Sequence, residues 1–220
     1  MPSLLVTAFG PFGPSSYNPT RAALPGIESA LADAADVTTA VLPVEFAAAR
    51  EQLDELIAGH SPDFVVCLGL AESRRAISVE KVAVNVMAAR IPDNAGAQPL
   101  DERACAGAPT AYFSTLPVAD VAATVRREGV PAEVSYSAGT YVCNTAMFTA
   151  LHATAGTPAR AGFIHVPQAL GAESPATGAL TREGLTQDDI TAGIVAALGA
   201  LAAGPAGEED STPPPAGHVD

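Results

Sequence analysis

Three residues of this 220-residue chain have types and surroundings suited to nucleophilic and acid–base chemistry: Cys143, His165 and Glu80. Cys143 follows residues 137–142, where a glycine-bearing turn gives way to a helical pattern, so we expect its thiol at a helix N-terminus. The unpaired N–H groups there favour a thiolate over a thiol and can receive an oxyanion. The alternative is a small buried hydrophobic side chain, a common state of free cysteine.

His165 and Glu80 each permit a catalytic and a structural interpretation. His165 ends the apolar run 161–165, where a histidine can reach a site as an acid or base, or can be a satisfied core residue. Glu80 lies in the alternating segment 77–86, which predicts a strand whose carboxylate points among valines. Burying a carboxylate costs several kcal/mol unless it is paired. Glu80 either orients an imidazolium in a triad or forms a salt bridge with Lys81 or an arginine on an exposed sheet face.

The remaining cysteines are weaker candidates for a nucleophile. Cys67 lies inside an apolar run and is predicted to be core, whereas Cys105 lies in a loop with neither a helix start nor a histidine nearby. Three widely spaced cysteines do not suit a disulfide framework or a zinc site. A reducing, cytoplasmic location is therefore the expected default.

Composition excludes several classes of function. Eleven basic against 24 acidic residues give a formal net charge of −13, which disfavours binding to nucleic acid or to an anionic membrane. The longest apolar runs fall short of the roughly 20 residues that cross a bilayer, so no membrane span is expected. The first residues lack a basic region and a cleavage site, so no signal peptide is expected either.

Apolar stretches of strand length alternate with longer stretches of helical period, which predicts an α/β fold with helices covering a sheet. Residues 88–117 are expected to form a long loop, and the acidic, proline-rich residues 204–220 a disordered tail after a domain of residues 1–203. The predicted strands are 3–8, 37–42, 63–69, 77–86, 133–137 and 161–166, and the predicted helices are 19–35 with Asn18 as its cap, 46–58, 118–128, one after Tyr141, and 187–203.

Six sequence blocks, taken together, resemble the pyroglutamyl peptidase I (pyrrolidone-carboxylate peptidase) family of cysteine peptidases. The similarity extends over nearly the whole chain up to about Ala203. The blocks are Phe9-Gly10-Pro11-Phe12-Gly13 followed by Asn18-Pro19, then residues 79–85, residues 89–94, Gln98-Pro99, residues 137–144, and residues 162–167.

The resemblance implies a single-domain, three-layer α/β/α fold with a mixed central sheet. It implies a cytosolic enzyme, often a homo-oligomer such as a dimer or tetramer, that removes N-terminal pyroglutamate from peptides without a metal or cofactor. The expected catalytic residues are Glu80, Cys143 and His165. The residues expected to hold the five-membered lactam are Phe9, Phe12, Asn18 and Tyr141, with Arg90 close to the catalytic centre.

The chain departs from the family pattern in one block. Where the family commonly has Gly-Gln-Ala-Gly-Gly-Arg, this chain has Gly69-Leu70-Ala71-Glu72-Ser73-Arg74. Leu70 replaces an amide that could bond the ring, which leaves a thiol amidase acting on another small lactam or acyl-amide as an alternative. A catalytically weak relative acting as a binding protein is a second alternative, and Phe12 as ordinary core packing is the alternative to its role in the pocket.

Overall fold

Eight strands and five helices are present in the computed structural model, which describes residues 1–13 and 15–204. In chain order they are β1 (Ser3–Phe9), α1 (Pro19–Leu31), β2 (Asp36–Leu42), α2 (Phe46–His60), β3 (Phe64–Leu70), β4 (Ile77–Glu80), β5 (Val82–Val84), β6 (Ala111–Phe113), α3 (Val118–Arg127), β7 (Ala132–Ser135), α4 (Val142–Ala153), β8 (Arg160–Val166) and α5 (Gln187–Ala202).

Six of the strands form one mixed sheet, in the order β2-β1-β3-β8-β4-β7. The four strands β2, β1, β3 and β8 are parallel. Strand β4 runs antiparallel to β8 and parallel to β7, so the chain direction reverses once across the sheet. The short strands β5 and β6 form a separate antiparallel pair.

Helices cover both faces of the sheet. Helices α1, α3 and α5 pack together on one face, and α2 and α4 pack together on the other. The sheet therefore has a separate core on each face, and the alternating side chains of β1 contribute to both. Leu4, Val6 and Ala8 belong to one core, while Leu5 and Phe9 belong to the other. The predicted single-domain α/β fold with three layers and a mixed central sheet is confirmed.

The prediction of one continuous strand over residues 77–86 is wrong. The backbone N–H of Lys81 donates to the Ser135 carbonyl, while its own carbonyl accepts from Ser114. These bonds to two different segments turn the chain out of the sheet at Lys81, and β5 then pairs with β6. Glu80 is therefore the last residue of β4, and its carboxylate contacts Arg74 and His165. Strand β6 lies within residues 88–117, which were predicted to be entirely loop.

The other predicted elements are present with ends shifted by a few residues. Asn18 caps α1 as its sequence position indicates, because its side chain accepts from the backbone N–H of Thr20. Gly204, the first residue of the predicted tail, has a φ of 77°, a left-handed conformation typical after a helix. The rest of the predicted disordered tail, residues 205–220, lies outside the described residues. No helix within the described ranges is long and apolar enough to cross a membrane.

Candidate active site

His165 and Glu80 form a buried hydrogen-bonded pair on adjacent strands. The His165 Nδ1 atom lies 2.7 Å from Glu80 Oε1, and the two residues are 4% and 0% exposed. In the antiparallel register of β4 and β8, Ser78 is opposite His165 and Glu80 is opposite Phe163. Glu80 is therefore paired with β8 two residues before His165, further from the carboxyl end of that strand. With Nδ1–H donating to the carboxylate, Nε2 remains as the acceptor of the ring.

Arg74, in the turn between β3 and β4, also contacts this carboxylate. Its Nη2 atom lies 2.8 Å from the same Glu80 Oε1 and donates to the Ser137 carbonyl at 3.1 Å. The structural alternative for Glu80, a salt bridge to an arginine, is thus partly present. The carboxylate nevertheless lies in the interior and also binds His165, and it forms no salt bridge with Lys81.

Cys143 lies in the first turn of α4 and its sulfur lies over β3. A Cβ added at Gly69 would be 3.0 Å from Cys143 Sγ, so the thiol packs directly on this glycine. Gly69 is the strand partner of His165 in the β3–β8 register. Because directly paired residues face the same side of a sheet on strands about 4.8 Å apart, the thiol and the imidazole share one face as neighbours.

Donors for an oxyanion are available beside the thiol. Tyr141 precedes α4 without a side-chain cap, and the Thr145 N–H makes the first backbone bond of the helix, to the Tyr141 carbonyl. The earlier N–H groups, including that of Cys143, therefore have no partner within the helix. Such groups at a helix N-terminus, next to a nucleophile, suit a developing negative charge.

Burial determines the resting protonation of the pair. Burial, with the negative charge of Glu80, raises the pKa of Cys143 to about 12, although its own backbone N–H and Arg74 lower it. Burial lowers the pKa of His165 from 6.5, against the opposing effect of the Glu80 hydrogen bond and charge. Both shifts act in the same sense, because each favours the uncharged form of its group, the thiol of Cys143 and the neutral imidazole of His165. The stabilisation of a resting thiolate that we expected from the helix N-terminus is outweighed by burial.

An apolar pocket of about 190 Å³ opens onto the Cys143 thiol. This is smaller than the roughly 300 Å³ or more of pockets that hold drug-sized ligands, and therefore suits a small ring. Tyr141 lies between two further aromatic rings, with centroids 5.7 Å from Phe12 and 5.2 Å from Phe46. The pocket is lined by Phe9, Phe12, Tyr17, Asn18, Val44, Leu70, Glu72, Tyr141, Val142, Cys143 and Pro175.

The structure brings four of the five residues predicted for substrate binding to this pocket. Phe9, Phe12, Asn18 and Tyr141 line it, whereas Arg90 is exposed and is not part of the lining. The side chain of Asn18 is occupied by structural hydrogen bonds, because Oδ1 accepts from the Thr20 N–H and hydroxyl and Nδ2 donates to the Gly10 carbonyl. The roles of these five residues toward a substrate stay predictions.

The other cysteines lie where the sequence indicated. Cys67 is fully buried in β3, and burial raises the pKa of its thiol to about 11. Cys105 is half-buried in the loop, where its N–H donates to the Asn85 side chain. The described residues include no cluster of three or more histidine, cysteine, aspartate or glutamate side chains placed to hold a metal ion.

Two supporting residues were missed by the sequence reasoning. The fully buried Asn144 clamps the β5 backbone to α4, because its side chain accepts from the Val84 N–H and donates to the Val84 and Val86 carbonyls. Asp93 accepts from the Phe46 N–H at the start of α2. Its neighbour Pro92 accepts from the Tyr141 hydroxyl at 2.9 Å. Both are polar residues inside the blocks 137–144 and 89–94 that carry the family resemblance, and this position is the sequence signal that could have found them.

Glu72 is a further residue that the sequence reasoning left without a role. Its carboxylate lines the pocket and accepts from the Ser174 hydroxyl and, at 3.5 Å, from the Ala176 N–H. Pro175, between these two residues, is itself part of the pocket lining. Glu72 therefore holds the segment after β8 against the pocket.

A thiol, an imidazole and a carboxylate grouped on an α/β/α scaffold are the set of groups that thiol hydrolases use. Residues 2–202 match the family model described as pyroglutamyl peptidase, and the chain belongs to this family. The resemblance inferred from the six sequence blocks is thereby confirmed.

Similar proteins span most of the chain. The pyrrolidone-carboxylate peptidase of Thermococcus kodakarensis is 46% identical over 83% of this chain and 91% of its own length. Pyrrolidone-carboxylate peptidase 1 of Ralstonia nicotianae is 40% identical over 90% of this chain and 92% of its own. The crystal structure of Bacillus amyloliquefaciens pyroglutamyl peptidase I superposes with a TM-score of 0.84 at 34% identity, covering 92% of this chain and 98% of that one.

Gly69 provides a test of this geometry. Its added Cβ would lie 2.6 Å from a Phe163 ring atom as well as 3.0 Å from Cys143 Sγ, so Gly69→Ala must displace one of them. We expect the free energy of unfolding to fall by about 1–3 kcal/mol, the usual cost of overpacking. We also expect turnover to fall by about 10²-fold, as a misplacement of about 1 Å can cause.

The matched control is Gly59→Ala, because a Cβ at Gly59 in α2 meets nothing within 4 Å. Chemical unfolding and steady-state kinetics should show Gly59→Ala at least as stable as the wild type and equally active. A folded Gly69→Ala protein with wild-type turnover would mean that the thiol does not need to lie over this glycine.

Proposed function

We propose that this chain is a cysteine peptidase that hydrolyses the amide bond after an N-terminal pyroglutamyl residue of peptides. The observation that carries the proposal is the convergence of the Cys143 thiol, the His165–Glu80 pair and a small aromatic pocket at one edge of the sheet. A pyroglutamyl ring has two flat apolar faces, which suit walls such as Phe9, Phe12 and Tyr141. The names of the similar proteins support the same activity.

The mechanism follows from the neutral resting pair. His165 Nε2 takes the proton of Cys143 as the sulfur attacks the carbonyl of the amide bond that follows the pyroglutamyl ring. The first N–H groups of α4 hold the oxyanion that forms. His165 then gives its proton to the departing amine, which leaves a thioester on Cys143. Water, deprotonated by His165, hydrolyses the thioester and restores the thiol. Glu80 orients the imidazole and stabilises its charged form.

Location and assembly form part of the proposal. The free cysteines and the family resemblance support a cytoplasmic location and a homo-oligomer, either a dimer or a tetramer. No metal or cofactor is needed for the steps above. The alternatives of a different lactam amidase or a non-catalytic binding protein are not favoured by the similar proteins.

The direct test of the function is release of the chromophore from a chromogenic pyroglutamyl amide, measured with and without prior alkylation of thiols. We expect turnover, and its loss after alkylation. Prolyl and glutamyl amides measured in parallel separate the proposed activity from a more general thiol amidase.

The nucleophile is tested by replacing each cysteine separately. Cys143→Ser should abolish turnover, while Cys105→Ser and Cys67→Ser should leave most of it, because neither of these thiols opens onto the pocket. Cys105→Ser is the matched control for an accessible thiol. If Cys143→Ser keeps activity within about tenfold of the wild type, the mechanism is wrong.

The base and its carboxylate are tested by the pH dependence of kcat/KM. His165→Ala should lower kcat by at least ~10²-fold, the lower range for a lost general base. Glu80→Gln should also lower kcat. It should move the acid limb of the profile to lower pH, because Glu80 raises the pKa of His165 and only the neutral imidazole accepts the proton.

The control for His165→Ala is His152→Ala, since His152 also bonds one side chain, the Tyr112 hydroxyl, but lies outside the pocket. His152→Ala should retain turnover. A Glu80→Gln protein that unfolds easily yet turns over normally when folded would show that Glu80 serves only as a structural ion-pair partner.

Leu70 is expected to loosen the selection of the ring. It contributes an apolar wall where the family commonly has an amide, and an apolar wall rejects a related ring less strongly than a hydrogen bond that would go unpaired. Leu70→Gln should therefore raise the preference for pyroglutamyl over prolyl amides by ~1 kcal/mol, or about fivefold in the ratio of kcat/KM.

The control for this change is Leu100→Gln, because Leu100 is 77% exposed and lies outside the pocket lining. It should leave the ratio unchanged. An unchanged or lower preference for pyroglutamyl in Leu70→Gln would place Leu70 outside the part of the pocket that contacts the ring.

A further inference from the structure

We propose that Arg74 is a positioning residue of the catalytic centre, which fixes the carboxylate behind His165 and opposes, through its own positive charge, protonation of the imidazole. This inference rests on the proposed function, because it assigns Arg74 to the same proton transfer. Arg74 does not line the pocket, and it acts through Glu80.

The geometry gives Arg74 and His165 one shared acceptor. Glu80 Oε1 lies 2.7 Å from His165 Nδ1 and 2.8 Å from Arg74 Nη2. The other carboxylate oxygen, Oε2, is buried and has no hydrogen-bond partner among residues 1–13 and 15–204, so within this part of the chain Glu80 is held by the three-way contact at Oε1. The Arg74 side chain is 20% exposed and Glu80 is fully buried, so solvent screens their attraction only weakly.

The charges in this cluster decide whether His165 can act as a base. A buried carboxylate bonded to an imidazole, with no other partner, favours the imidazolium, which cannot accept the thiol proton. A guanidinium on the same oxygen neutralises the carboxylate and repels a second positive charge. The titratable groups facing His165 are Glu80 from β4, Arg74 from the β3–β4 turn and Cys143 from α4, with Cys67 on the same face of β3.

Arg74 also ties the base to the nucleophile. Its Nη2 donates to the carbonyl of Ser137, which lies on the segment leading from β7 into α4. The same guanidinium nitrogen therefore contacts the carboxylate behind His165 and the segment that ends at Cys143. A change at Arg74 reaches both partners of the proton transfer without touching the substrate.

The test compares Arg74→Met, Arg74→Lys and the neighbouring Arg75→Met. Arg75 is exposed, and its one side-chain hydrogen bond within the described residues goes to the Glu183 carbonyl at 3.3 Å, so Arg75→Met is the matched control. In Arg74→Met we expect the acid limb of the kcat/KM profile to move up by about one pH unit, which means about tenfold lower activity below the limb. Activity should recover at higher pH, with little change in KM.

Arg74→Lys keeps the positive charge, so the acid limb of its kcat/KM profile should lie near the wild-type position. Arg75→Met should leave the acid limb at the wild-type pH. A purely structural salt bridge would lower the melting temperature of Arg74→Met and leave the limb where it is, and this result would overturn the proposal. If Arg74→Met does not fold, Arg74→Gln takes its place, because it keeps hydrogen-bond donors without the charge.

Titration of the His165 imidazole by NMR separates this proposal from the proposed function, because it needs no turnover. The His165 signals are assigned by their absence in His165→Ala. We expect His165 to titrate below 6.5 in the wild type, and about one unit higher in the uncharged Arg74 variant. A wild-type value above 6.5, or no difference between the proteins, would overturn the proposal even if pyroglutamyl amides are hydrolysed.

Discussion

The buried carboxylate of Glu80 is the constraint on which the rest of the site depends. Two contacts found in the described part of the chain end on its Oε1 atom, a salt bridge from Arg74 and a hydrogen bond from His165. An unpaired carboxylate at that depth would cost several kcal/mol, so the fold must supply partners from two other segments. Of these partners, His165 carries the imidazole that bonds the carboxylate, and Arg74 is the group that we propose to act on the basicity of that imidazole.

The reversal of strand direction between β8 and β4 makes this arrangement possible. In a fully parallel sheet, residues at the carboxyl ends of neighbouring strands lie side by side at one edge. Because β4 is antiparallel, its last residue, Glu80, pairs with Phe163 and lies deeper than His165. From the interior of the sheet toward the pocket, the carboxylate of Glu80 therefore comes first, the imidazole of His165 second and the thiol of Cys143 third. Gly69 completes the order, since any side chain there would meet Phe163 and the Cys143 sulfur.

Local patterns predicted those features that depend on neighbouring residues in sequence. The apolar periodicity predicted the layers, and the segment before Cys143 predicted a thiol at a helix start. The break at Lys81 could not be predicted, because bonds to Ser135 and Ser114, more than 30 residues away, impose it. The partnership of Arg74 with Glu80 was equally inaccessible, since an arginine in a polar turn is usually a solvated charge. The neutral resting thiol depends on burial, which only the assembled pocket determines.

The hydrogen bonds of the pocket walls bear on how a ring could be selected. Asn18 bonds Thr20 and Gly10, the Tyr17 hydroxyl donates to Gln187, and the Tyr141 hydroxyl donates to Pro92. These bonds hold the walls in place and use the two hydroxyl protons, so the tyrosine hydroxyls can offer a ligand only acceptor positions. The proposed selection of a small lactam therefore rests on the shape of the apolar walls, on these acceptors and on backbone groups near α4. A leucine at position 70 is compatible with such a pocket, because shape and burial, which a leucine supplies, are then the main determinants of binding.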